Sequence, residues 1–311
     1  MRVLLCIILL SWPFLFLFST SLNISTQLAN SPSFTTDSVV QDTYPYPSTV
    51  RTLNFSGYEW FVKDNLETGE EWGPGPNWWN GSSQNVWVDA QGFLHLKIVK
   101  IGNQWHCAEL WSKLSFGYGQ YLFQIDPMVQ SIDKNIILGL FTYYNDTQEI
   151  DIEFSKWGEI NAENSQYVIQ PYFNQGNMKR FNTDFNQRTT THTFIWKNDS
   201  IEFASGFGTI KNYTQSIYSS WRYTGSDTPI PRTEKVHINL WLMNGAPPSL
   251  EQDYEVIIEK FDFRALSDAD QLNNLPNKIS GYPVLILALK FAAFSIVSSC
   301  IIMKNNKKLK K

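Results

Sequence analysis

Between residues 53 and 265 the chain is cut into short runs that alternate apolar and polar side chains. They read "NVWVD", "FLHLKIV", "GQYLFQI", "IILGLFTYY", "EIDIEF", "QYVIQPYF", "HTFIWK", "VHINLWLM" and "YEVIIEKFDF", with Gly, Asn and Asp between them. A period of two suits a strand, whose successive side chains take opposite faces, and does not suit a helix. Many such runs at fairly even spacing predict an all-β sandwich of two antiparallel sheets. No amphipathic helix and no repeat of fixed period competes with this reading. The body is a little over 200 residues long, which one sandwich can fill.

The flanks read differently. Residues 1–21 have a positive start at Arg2, an apolar run and small residues at Ser19 and Ser21, the pattern of a secretory signal. Residues 22–52 are rich in Ser, Thr and Pro and are expected to be a disordered stalk. Residues 266–282 read as a polar linker. Residues 283–303 are apolar apart from Lys290 and a few serines, long enough for a transmembrane helix. Residues 304–311 form a basic tail with five lysines. Basic flanks stay in the cytoplasm, so the body is expected outside, as a single-pass protein of the cell surface. Of three cysteines, Cys6 and Cys300 lie in these apolar ends, which leaves Cys107 without a disulfide partner in the body. Sequons stand at Asn23, Asn54, Asn80, Asn145, Asn198 and Asn212. A formal charge of −4, with no basic stripe in the body, argues against a nucleic-acid partner.

One strand carries an unusual load. In "QEIDIEF" the carboxylates Glu149, Asp151 and Glu153 share one face, while Ile150, Ile152 and Phe154 share the other. A solvated outer face is the ordinary fate of such residues. Like charges two residues apart repel, however, and the flanking runs offer aromatics and amides more readily than cations. Two carboxylates flanking one bond are the machinery of glycoside hydrolysis. Cα atoms of Glu149 and Glu153 lie about 13 Å apart on a straight strand. Long side chains on a curved sheet could bring their carboxylates to the ~5–5.5 Å that accompanies retention of configuration. Asp151 between them can hold their pKa values apart.

The same alternation supplies walls for a sugar site. It places His237, Asn239 and Trp241 on one face of their run, and Cys107, Glu109 and Trp111 on one face of theirs. Trp78, Trp79, Tyr143, Tyr144 and Tyr172 are further candidate platforms. Any single aromatic is as well explained by core packing; the collection, in a chain with 12 Trp, is what carries weight.

These residues resemble glycoside hydrolase family 16, the laminarinase and lichenase group, over residues 57–264. "EIDIEF" is similar to the active-site strand of that family. "NVWVDAQGFLHLKI", "CAELWSKLSFGYGQYLFQI", "GLFTYYND" and "NLW" resemble its other segments, in order. The resemblance implies a β-jelly-roll with a concave substrate cleft. It implies Glu149 as nucleophile, Asp151 as assisting carboxylate and Glu153 as general acid/base. Glu109, Trp111, Tyr143, Asn239 and Trp241 match positions that line the sugar site. No cofactor is required, and a structural calcium is possible by resemblance. The chain departs from lichenases in reading "FSKWG" after the last Glu, in carrying Trp111 in place of an Arg, and in leaving Cys107 without the half-cystine partner expected near Trp79. "GPGPNWW" and "QYVIQPYF" also depart from the well-known branches. The expected activity is a retaining endo-β-glycosidase acting on a β-glucan-like polysaccharide. A wall-remodelling transglycosylase and a non-catalytic surface lectin are the alternatives.

Overall fold

The computed structural model describes residues 50–127, 131–185 and 188–266. The expected signal, nearly all of the stalk, the linker beyond residue 266, the membrane span and the basic tail lie outside the described residues. Among the described residues no helix is long and apolar enough to cross a membrane.

Sixteen strands follow one another among these residues. The first eight are β1 (Thr52–Phe55), β2 (Tyr58–Val62), β3 (Trp78–Trp79), β4 (Val86–Val88), β5 (Leu94–Ile101), β6 (Gln104–Ser112), β7 (Gly119–Ile125) and β8 (Ile136–Asn145). The rest are β9 (Gln148–Phe154), β10 (Ser165–Ile169), β11 (Met178–Phe181), β12 (Thr190–Trp196), β13 (Ile201–Phe207), β14 (Ile217–Tyr223), β15 (Lys235–Leu242) and β16 (Tyr254–Ala265). Two single-turn 3-10 helices, Tyr213–Ser216 and Met243–Gly245, complete the inventory. The all-β expectation therefore holds for the described body.

Twelve of the strands form one continuous hydrogen-bonded path, β11-β10-β9-β8-β15-β6-β5-β16-β7-β12-β13-β14, and β1–β4 attach beside it. It folds over at the β5–β6 hairpin into a jelly-roll-like sandwich. The front sheet runs from β11 to β6 and is extended by β2; the back sheet runs from β5 to β14. All pairings are antiparallel except the short β3–β6 contact. The order shows why sequence neighbours are not always spatial ones: β15 inserts between β8 and β6.

The core lies between the two sheets. From the front come Ile150, Ile152 and Phe154 of β9 and Tyr167 of β10, all fully buried. From the back, Phe203 stacks on Tyr167 at 4.8 Å, and the Tyr167 hydroxyl donates to Ser205 Oγ at 2.7 Å. His192 packs edge-on to Phe154 at 4.6 Å, with its ring nitrogens bonded to Ser205 and Thr190. Burial pushes the His192 imidazole down to about 3, so it stays neutral and structural. Trp79 also belongs to this core: it is fully buried and its indole N–H donates to Trp72 O at 3.0 Å. It is no open sugar platform. Cys107 is a buried free thiol beside it, bonded to Asn77 Oδ1 at 3.3 Å. Of the five described sequons, Asn80 is buried, while Asn54, Asn145, Asn198 and Asn212 are exposed.

Because Ile152 is sealed on the core side of β9, trimming it leaves a cavity under the acid row. Ile152→Ala is expected to cost about 2–5 kcal/mol in chemical denaturation. A change within experimental error would place Ile152 outside the core.

Candidate active site

The acid row sits near the middle of the front sheet, and strand register decides what surrounds it. Glu149 is opposite Tyr143, Asp151 opposite Phe141, and Glu153 opposite Gly139 on β8. On the other side Glu153 is opposite Gln166 and Asp151 opposite Val168 of β10. Continuing through β8, β15 places Lys235 next to Tyr143, His237 next to Phe141 and Asn239 next to Gly139. Next, β6 places Trp111 beside His237 and Glu109 beside Asn239. The side chains thus form ladders across one face. One runs Gln166–Glu153–Gly139–Asn239–Glu109, another Asp151–Phe141–His237–Trp111, and a third Glu149–Tyr143–Lys235. Trp241, two residues beyond Asn239, is on the same face and half-buried.

The carboxylates are not left in water. Asp151 is buried, and Glu149 and Glu153 are half-buried. Gln166 Nε2 donates to Glu153 Oε2 at 2.6 Å, and Gln170 Nε2 donates to Asp151 Oδ2 at 3.2 Å. Asp151 and Glu149 also hydrogen-bond to each other, which requires a proton between them. Burial raises all three. Glu149 goes up to about 8, with the Glu153 and Asp146 charges adding to the effect and the Asp151 hydrogen bond opposing it. Asp151 is raised well above its ordinary value by burial and by the charges on both neighbours. Glu153 is raised by burial against the opposing pull of Gln166 and the Arg180 charge. The row holds protons at a pH where isolated carboxylates have lost theirs.

A second buried acid behaves in the opposite way. Glu109 accepts from Lys63 Nζ at 2.7 Å, and His237 Nδ1 lies 2.8 Å from its other oxygen. Burial pushes Glu109 up, but the Lys63 charge and the His237 contact more than reverse this and hold it below its ordinary value. Lys63 is itself stacked over Trp79 at 4.1 Å. Glu109 is therefore a fixed negative charge that orients His237. In turn His237 stacks between Phe141 at 4.9 Å and Trp111 at 6.2 Å. Trp111 is buried, packed against Phe61 at 5.5 Å on its far side. It braces the His237 ladder and offers little open face. Tyr143 keeps its hydroxyl toward solvent, donating to Asp146 Oδ1 at 2.9 Å. Tyr144 lies under the Arg232 guanidinium at 5.5 Å, Trp78 is half-buried, and Tyr172 is 56% exposed. Asn239 leans over the glycine beside it: a Cβ on Gly139 would come within 2.5 Å of Asn239 Oδ1.

No protein-family profile matches the chain, and no curated protein does. Solved structures do. A pseudo beta-1,3-glucanase and immunostimulatory antigen of Mycobacterium tuberculosis aligns with a TM-score of 0.51 at 14% identity, over 67% of this chain and 91% of that one. A beta-1,3-glucanase of Mycobacterium marinum aligns at 0.50 and 16%, over 66% and 90%. A glycosyl hydrolase family protein of Mycobacterium fortuitum aligns at 0.50 and 18%, over 66% and 91%. The chain shares the fold of these proteins. At such identities the likeness is one of fold alone, so the chemistry must be argued from the front sheet itself.

Sequence reasoning did not single out the partners that tame the row. Gln166 and Gln170 were legible in principle: in "SQYVIQ" the alternation puts both on one face, in the strand that follows the acids. Lys63 had no local signal, since it meets Glu109 across 46 residues. Among the described residues no group of three or more His, Cys, Asp or Glu side chains is arranged to hold a metal ion.

The raised Glu149 gives a stability test that needs no substrate. A carboxyl raised in the folded state contributes stability that is present below about pH 4.5 and lost as pH rises through about 8. Glu149→Gln removes that loss. The variant is expected to gain on the parent by up to about 5 kcal/mol between those limits, about 1.4 kcal/mol for each pH unit, read by denaturation at a series of pH values. Parallel curves would show that Glu149 titrates normally.

Proposed function

We propose that this protein is a retaining endo-β-glycosidase of the glycoside hydrolase family 16 kind, acting on a β-glucan-like polysaccharide. The observation that carries the reading is the proton-holding row of Glu149, Asp151 and Glu153. It is flanked by the amides of Gln166 on β10 and Gln170 just past its end, and by an aromatic–His ladder on β8, β15 and β6. Glu153, raised by burial and oriented by Gln166, gives its proton to the glycosidic oxygen as the C1–O bond breaks. Glu149, as carboxylate, attacks the anomeric carbon and forms a glycosyl ester. Asp151 holds the proton it shares with Glu149 and donates a hydrogen bond to the ionised nucleophile. Glu153, now ionised, takes a proton from a water that attacks the same carbon and frees Glu149. Glu109, Asn239, Tyr143 and Trp241 line the sugar-facing surface, and Trp111 supports it from behind. The proposed setting is the outer face of a cell membrane, with the chain anchored through residues 283–303.

The value near 8 for Glu149 favours a second reading at lower pH. With the row largely protonated, the same face offers hydrogen bonds to a glycan but no nucleophile, and acts as a lectin. One assay separates the two. Reducing-end release from laminarin and mixed-linkage glucan is expected to rise from about pH 5 to about pH 8 as Glu149 ionises. Glu153→Gln is expected to lose about 10²–10⁴-fold, and Glu149→Gln to lose all hydrolysis with the fold intact. Full turnover by Glu149→Gln would remove it from its role. Glucan binding with no cleavage at any pH would leave the lectin. Chain-lengthened products from a labelled oligosaccharide would identify a transglycosylase.

A further inference from the structure

We propose that the front sheet carries a subsite for an anionic substituent of the glycan, a carboxylate or a sulfate ester, with Arg180 as its specificity-determining residue. The inference rests on the glycan-active reading of the same face and adds a substrate class to it. On β11, Arg180 is the register partner of Gln166, which is the partner of Glu153. Alternation therefore keeps Arg180 on the acid-row face. Its neighbour Lys179 turns the other way and donates to Ser220 O at 2.5 Å.

The Arg180 side chain is prepared for an anion. Its guanidinium carbon stacks 4.4 Å from the ring centroid of Trp157, yet the residue is exposed. Among the described ion pairs it takes no part. The backbone that carries the stacking ring is itself held. Trp157 has φ +46°, a left-handed conformation uncommon outside glycine. Its N–H donates to Ser155 Oγ at 3.0 Å, and the next residue, Gly158, donates to Lys134 O at 2.8 Å. An arginine lying flat on a ring keeps its edge N–H groups free and loses less freedom when a planar or tetrahedral oxyanion arrives. A neutral hydroxyl has no need of a full charge.

Two further polar groups on the same ladder lack partners. Gln166 Oε1 and Asn239 Oδ1, on residues only 6% and 2% exposed, have no hydrogen-bond partner among the described residues. These two orphaned acceptors lie on either side of Glu153 along the ladder and are sealed from solvent, so a donor meets them only when the amides turn outward. Of the ladder's polar groups the exposed guanidinium is the one open to a ligand, and an acidic sugar supplies its anion. Arg180 lies two strand spacings from Glu153, about 10 Å in the sheet plane, so it reads the substituent away from the bond being cut.

The test uses the full-length chain and four polymers. These are a sulfated galactan, a polyuronate, laminarin and a mixed-linkage glucan, with binding measured by affinity electrophoresis at low and high salt. At least one anionic polymer is expected to bind about ten-fold tighter than the neutral pair at low salt, and salt should erode the difference. Which anionic polymer wins distinguishes sulfate from carboxylate. Arg180→Gln is expected to abolish the anionic-to-neutral ratio, and Arg180→Lys, which keeps the charge but not the fork, to retain part of it. Equal binding of all four polymers, or an unchanged ratio in Arg180→Gln, overturns the assignment. Selective binding without reducing-end release would count against hydrolysis and leave the Arg180 subsite standing. Cleavage confined to neutral glucans would do the reverse.

Discussion

Three like charges held side by side on a half-buried strand face are the constraint around which the front sheet is arranged. Their mutual repulsion and loss of water cannot be removed by rotamer choice, because the alternation of β9 binds the same strand to the core through Ile150, Ile152 and Phe154. A slip of one residue would bury the carboxylates in the core and expose the isoleucines. The sheet relieves the conflict locally with Gln166 and Gln170, and by keeping protons on the row.

The contrast with Glu109 shows that this arrangement is particular. Both sites bury carboxylates on one face of one sheet. Glu109 is neutralised by the Lys63 cation and held low, while the row is neutralised by protons and held high. A protein in need of stability alone would be served by cations in both places. Cations at the row would fix the charge that acid–base chemistry has to move. The Lys63–Glu109–His237 network is better suited to position, because its charge is settled and its rings are stacked.

Much of this was legible in the chain. The period-two runs announced the strands, and the parity read from "EIDIEF", "HCAELWS" and "HINLWLM" is the parity of β9, β6 and β15. Strands with small or charged residues, such as β13 with its Ala204, Ser205 and Gly206, left a weak pattern and went unread. Burial was harder to read than facing. Trp79 and Trp111 look like platforms in a string of letters, but contacts distant in sequence, with Trp72, Lys63, Phe61 and His237, enclose them. The same non-locality hid Lys63 from Glu109 and Arg180 from Glu153.

The central claim is that Glu149, Asp151 and Glu153 titrate as one buried, proton-sharing unit. Carbon-13 NMR of their side-chain carboxyls across a pH series tests it most directly. Separate, coupled steps are expected, all displaced above the ~4 of ordinary carboxylates. Three independent titrations at ordinary values would contradict it.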